Sequence, residues 1–111
     1  MYKMIKHKRK AVVQPSGDIN ISNAHRLQQQ LTETVTAIDH AHVLVDMTGV
    51  ESLDSAGLMA LVSTLTLAQQ LGKQLTLFGI SPSVRIVFEL TQLDRVFEIA
   101  EEQSVLEVSA A

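Results

Sequence analysis

No cysteine occurs among the 111 residues, so disulfides, thiol nucleophiles and cysteine-ligated zinc are excluded. No apolar run approaches the roughly 20 residues that a membrane-spanning helix needs. The opening MYKMIKHKRK carries charge with no hydrophobic stretch behind it, which speaks against a secretory leader. A soluble, cytoplasmic protein is therefore expected. Glycine-rich phosphate fingerprints are missing as well. The loops SGDIN and DSAG hold one glycine each, and neither fits G-x-G-x-x-G or G-x-x-x-x-G-K-[ST]. No cofactor is expected. Cations are scarce beyond residue 10: Lys3, Lys6, Lys8, Arg9 and Lys10 are five of the nine lysines and arginines, which leaves four against all twelve acids. Such a body repels phosphate, so neither nucleic acid nor a membrane surface is the expected partner. The basic run reads as the solvated tip of a hairpin.

What is present fits a compact fold. Hydrophobic residues make up 46% and charged residues 19%, enough for one domain over residues 1–111 with a single core. YKMIKH and AVVQ read as two strands with Lys8 to Lys10 at their turn, and SGDIN as a polar loop punctuated by Gly17. In SNAHRLQQQLTETVTAIDH, Ala24, Leu27, Leu31, Val35 and Ile38 recur at steps of three and four. That spacing predicts an amphipathic helix with Ser22 or Asn23 as N-cap.

VLVDM (43–47) and LTLFGI (75–80) are short, nearly unbroken apolar runs, as strands covered on both faces are. Between them, LDSAGLMALVSTLTLAQQLGK predicts a helix with a wide buried side that closes at Gly72. SPSVRIVFEL has Ser81 at N-cap and Pro82 at N1, with Val84, Val87 and Phe88 on one side. VFEI (96–99) predicts a last strand and EEQSVLEVSAA a short terminal helix. Alternating strands and helices predict an α/β fold: one mixed, mostly parallel sheet of four to five strands with about four helices. No helix carries a sustained dimer seam, so a monomer is expected.

Ser55 is the residue with most chemical interest. As a catalytic nucleophile it lacks the glycines of G-x-S-x-G, since the run here is L-D-S-A-G. A histidine base would also have to reach it. His7, His25, His40 and His42 fall in the hairpin, the first helix and its exit, and the last two belong at the opposite end of the sheet. His40-x-His42 offers two metal ligands without a third; His40 reads instead as a residue near a helix C-terminus, where partial positive charge is welcome. Neither a catalytic nor a metal site is expected. Asp54 is a good N-cap, with Ser55 then filling the first helical turn. Gly57 in that same turn costs about 1 kcal/mol relative to alanine and needs a reason, such as the close approach of another surface.

Taken together, GDIN (17–20), VLVDMTGVESLDSAGLMAL (43–61) and LGKQLTLFGISPSVRIVFELTQLDRVFEI (71–99) resemble the STAS domain of bacterial anti-sigma factor antagonists, in order and in spacing. The resemblance implies a STAS fold for the whole chain. It implies that Ser55, after Asp54 and before Ala56 and Gly57, is phosphorylated by a partner anti-sigma factor with serine kinase activity. The unphosphorylated form would bind that kinase and free a sigma factor, and a serine phosphatase would restore it. It further implies that the loop holding Gly17, Asp18 and Asn20 lies beside the acceptor at the partner interface. Asn20 departs from the aspartate usual in the family, and the nearest acid is Asp18. The alternative is a constitutive STAS scaffold, an accessory of a signalling assembly or transporter, in which Asp54-Ser55 is only a helix start.

Overall fold

The computed structural model describes residues 2–7, as backbone alone, and residues 10–100. Of the turn expected at Lys8 to Lys10, Lys10 already belongs to a strand, while residues 8–9 and the terminal helix expected over 101–111 lie outside the described residues. β1 (Tyr2–His7) and β2 (Lys10–Pro15) form the expected hairpin, antiparallel from Tyr2 opposite Pro15 to His7 opposite Lys10. β3 (Gly17–Ile19) follows, then α1 (Ala24–Thr36), β4 (His42–Asp46), β5 (Val50–Leu53), α2 (Ser55–Gln70), β6 (Gln74–Phe78), α3 (Pro82–Leu90), a single 3-10 turn (Leu93–Arg95) and β7 (Glu98–Ala100). The main sheet has the order β1-β2-β4-β6-β7, and every pairing after the hairpin is parallel. Parallel neighbours require crossovers, and α1, α2 and α3 supply them.

Val43, Leu44 and Val45 of β4 are each fully buried, as a central parallel strand must be. One face of the sheet presents Val13, Val43, Val45, Leu75 and Leu77 to Leu27, Leu31 and Val35 of α1 and to Leu58, Leu61 and Leu65 of α2. Phe88 of α3 meets Phe97 edge to face, with ring centroids 5.6 Å apart, a favoured aromatic geometry. Val12, Leu44 and Phe78 form a smaller apolar cluster on the opposite face. The helix ends of α2 and α3 are as expected. Ser81 Oγ accepts from the Val84 N–H at 3.3 Å with Pro82 at the first helical position. α2 stops at Gly72, where the Lys73 N–H bonds to Ala68 O at 2.8 Å and the Gly72 N–H to Gln69 O at 3.2 Å, a Schellman closure.

Three expectations change. Within SGDIN, Gly17–Ile19 is a strand rather than loop, and with β5 it forms a second, two-stranded parallel sheet. α1 ends at Thr36, so Ile38 is not on its buried face but 92% exposed. The reason is tertiary: the Lys73 ammonium donates at 2.6 Å to both Val35 O and Ala37 O, holding the chain in an extended turn at Ala37. Asn23 occupies the N-cap position of α1 without capping it, because its carboxamide is used elsewhere.

Candidate functional site

β4 ends at Asp46, a mostly buried carboxylate. It accepts from Gln14 Nε2 at 3.0 Å and from the Thr48 N–H and hydroxyl at 3.0 and 2.6 Å. Those bonds fix the turn that leads into β5. From the same turn, Gly49 O accepts from the Gly17 N–H at 2.8 Å, which starts the β3–β5 pairing. The pairing ends with the Asp54 N–H donating to Ile19 O at 3.1 Å. Ser55 is therefore delivered to a rim built from two segments far apart in sequence. Gly17, Asp18, Asn20, Asp54, Ser55, Ala56 and Gly57, grouped by sequence, all lie on or beside this rim.

Asp54 is extended and caps α2: its Oδ1 accepts from the Gly57 N–H at 3.1 Å. Ser55 is the first helical residue and is exposed, as are Glu51, Ser52 and Asp54. Anions are stabilised at such a position because first-turn N–H groups and the helix dipole point toward them. Gly57 has the reason that its place in the first turn requires. It is buried, and a Cβ on it would lie 2.6 Å from Leu53 Cδ1 and 2.7 Å from Ile19 Cγ2. The surface that approaches Gly57 closely is the chain's own β3–β5 sheet, not an external partner.

The 18–23 segment is held by its own polar side chains. Asn20 Oδ1 accepts from the Ser22 N–H at 3.0 Å and from the Ser22 hydroxyl. Asn23 Oδ1 accepts from the Asn20 N–H at 2.9 Å, and Asn23 Nδ2 donates to Asp18 O at 2.8 Å. Ile21 sits at the tip, 82% exposed. Sequence reasoning missed Asp46 and Ser52 and took Asn23 for a helix cap only; Ser52 had a local signal, as a polar residue beside buried Leu53 in V-E-S-L.

His40 and His42 are elsewhere. His42 begins β4, at the end of the strand away from this rim. Its Nε2 lies 2.8 Å from Thr76 Oγ1, whose hydroxyl donates to Glu98 Oε1 at 2.8 Å. Burial, with Lys10 adding to it and Glu98 opposing, holds His42 below the usual imidazole range. Glu98 is lowered by the hydrogen bonds from Gln74 and Thr76. His40 is buried with Nδ1 at 3.0 Å from Thr34 O, so it serves the end of α1. Among the described residues no three histidines or carboxylates gather to hold a metal ion, and no helix is long and apolar enough to cross a membrane.

An exposed serine at the start of a helix, beside the segment that holds Gly17, Asp18 and Asn20, is the arrangement implied by the resemblance, and a family comparison decides which family the chain belongs to. The STAS domain model matches residues 2–105. The chain belongs to the STAS domain family. A Thermotoga neapolitana STAS relative, named as a candidate anti-sigma factor antagonist, is 27% identical over 88 residues, covering 79% of this chain and 78% of its own. The crystal structure of an anti-sigma factor antagonist from Mycobacterium paratuberculosis superposes with a TM-score of 0.85 at 25% identity, covering 100% of this chain and 94% of that one. The Bacillus cell fate determinant SpoIIAA in its phosphorylated form shares the fold, with a TM-score of 0.74 at 13% identity over 96% of this chain and 97% of that one. The STAS fold here is thus an α/β fold with a mainly parallel sheet, a second two-stranded sheet and, among the described residues, three α-helices.

Proposed function

We propose that this protein is an anti-sigma factor antagonist that works by partner switching, with Ser55 as the switched residue. The observation that carries the reading is the exposed Ser55 hydroxyl at the start of α2, directly after the capping carboxylate of Asp54. In this reading the whole chain acts as one STAS unit in the cytoplasm, monomeric, and is a binding module rather than an enzyme. The unphosphorylated form binds an anti-sigma factor with serine kinase activity and so frees a sigma factor. Phosphorylation of Ser55 ends that binding, and a serine phosphatase reverses it.

The physics favours a local switch. A phosphoserine brings about −1.5 to −2 charge, and at a helix N-terminus this charge is tolerated by the fold. Beside Asp54 and Glu51 it makes one concentrated negative patch. A partner surface fitted to a neutral hydroxyl then meets repulsion and unpaid desolvation.

The test pairs phosphopeptide mapping of the protein from its native cells with capture by Ser55→Ala and Ser55→Asp. A condition-dependent phosphate on Ser55 is expected. Ser55→Asp should melt within a few degrees of wild type yet bind the partner captured by Ser55→Ala at least tenfold more weakly. Equal affinity would rule out electrostatic masking. A constitutive scaffold is the second reading, and Asn20 favours it: no carboxylate stands at that position, and its amide oxygen is already taken by Ser22. Absence of phosphate on Ser55 under growth and stress alike would decide for the scaffold.

A further inference from the structure

Ser52 stands on β5, three residues ahead of Ser55, and is exposed. Its hydroxyl donates to Asp18 Oδ1 at 2.6 Å across 34 residues of sequence. This contact depends on an irregularity. β3 and β5 start in register with Gly17 opposite Val50, but Asp18 then lies opposite Ser52, so that Glu51 is passed over. Without the shift Asp18 would face Glu51, two carboxylates on neighbouring strands, an unfavourable pair. The shift occurs at Gly17, whose φ of +81° is a left-handed conformation that glycine adopts without steric penalty. The backbone is thus arranged to put a carboxylate on this one hydroxyl.

We propose that Ser52 is a second phosphoacceptor on the Ser55 rim, with its hydroxyl aligned by Asp18. The inference rests on the reading that a protein kinase docks at this rim. In the transfer, Ser52 Oγ forms a bond to the γ-phosphorus of the kinase's nucleoside triphosphate. The bond from that phosphorus to the bridging oxygen breaks, the nucleoside diphosphate leaves, and the hydroxyl proton passes to the Asp18 carboxylate and on to solvent.

The product differs in kind from phosphoserine at position 55. A phosphate on Ser55 meets a helix N-terminus, whereas a phosphate on Ser52 takes the place of a hydrogen bond to a carboxylate. It would lie against Asp18, with Glu51 next in the chain, and like-charge repulsion would loosen β3 from β5. Loosening releases the 18–23 segment, since Asp18 O also anchors Asn23. Ser55 phosphate masks the rim; Ser52 phosphate would unfasten it.

The experiment is site-resolved fragmentation of phosphopeptides spanning residues 51–62, from wild type, Ser55→Ala and Asp18→Asn recovered from native cells under growth and stress. Phosphate on Ser52 is expected in wild type and in Ser55→Ala, and at least fivefold less of it in Asp18→Asn, with a melting curve recorded to show that this variant is folded. Ser55→Ala keeps the Ser52 signal distinguishable from its neighbour. Phosphate on Ser55 and never on Ser52 overturns the second acceptor and leaves the proposed function standing. Phosphate on Ser52 alone supports the second acceptor and overturns the first. Phosphate on neither overturns both, and undiminished Ser52 phosphate in folded Asp18→Asn removes the role given to Asp18.

Discussion

The two ends of α2 are built on opposite principles. At its C-terminal end, Lys73 reaches back to two carbonyls of the α1 terminus, His40 is buried against Thr34 O, and the Gln74 N–H bonds to Ala41 O at 3.1 Å. Charge and backbone there are committed to holding helices and sheet together. At its N-terminal end, Glu51, Ser52, Asp54 and Ser55 are all exposed, and the side-chain bonds, such as that from Ser52 to Asp18, lie open to water. Water competes for both partners of such an exposed bond, which lowers its net contribution to stability. The difference shows where each part of the molecule spends its polar groups: one end secures the fold, and the other is left accessible to a partner.

The largest effect expected from breaking this contrast is at Lys73. Lys73→Met removes the ammonium from Val35 O and Ala37 O while keeping the aliphatic stem. A charge-assisted bond is worth about 1.5–3 kcal/mol, and the side chain is partly exposed, so a loss of about 2 kcal/mol is expected in urea denaturation. Partner capture by the Ser55 rim should be unchanged. A loss no larger than that of an ordinary surface substitution would show that the clamp is not what ends α1.

Gly57→Ala should come next. Alanine brings roughly 1 kcal/mol of helix propensity, but its methyl would press on branched Ile19 and on Leu53, and overpacking costs about 1–3 kcal/mol. A net destabilisation of about 1 kcal/mol is expected, with faster hydrogen exchange in β3. A stabilised Gly57→Ala would show that β3 yields easily, and that the rim is softer than the far end.

Asp54→Ala sharpens the comparison on the exposed side. It removes only the cap on the Gly57 N–H, a change worth typically about 1 kcal/mol, and the midpoint of unfolding measures it. The smallest effect is at His42. Its folded value lies below the ordinary imidazole value of about 6.5, so the unfolded chain takes up a proton that the folded chain resists. That contribution is fully present above about pH 6.5 and is lost as the pH falls through that value toward the folded one. His42→Gln should flatten the stability–pH curve in that window while leaving rim binding unchanged. A curve of unchanged slope would place the titration elsewhere.

Much of the frame was legible because it rests on local pattern. β4 and β6 are runs of apolar residues, Asp54 and Ser81 are caps next to the helices they start, and Gly72 follows the last residues of α2. β3 and β5 were not legible, being three and four residues long and carrying no period of their own. They exist as strands because residues 17–19 and 50–53 meet. Ile38 was misplaced for a related reason: its spacing continues the α1 stripe, and the signal to stop comes from Lys73.

The alternation of α1, β4, α2, β6 and α3, the buried runs and the Asp54 cap with Ser55 in the first turn behind it were determined by the sequence alone, since periodicity and capping act within a few residues. The tertiary structure decided that Gly17, Asp18 and Asn20 share a rim with Ser55, that Gly57 serves Ile19 and Leu53, and that Ser52 faces Asp18 rather than solvent alone. Contacts of that kind depend on where distant segments come to lie, and no local pattern along the chain records them.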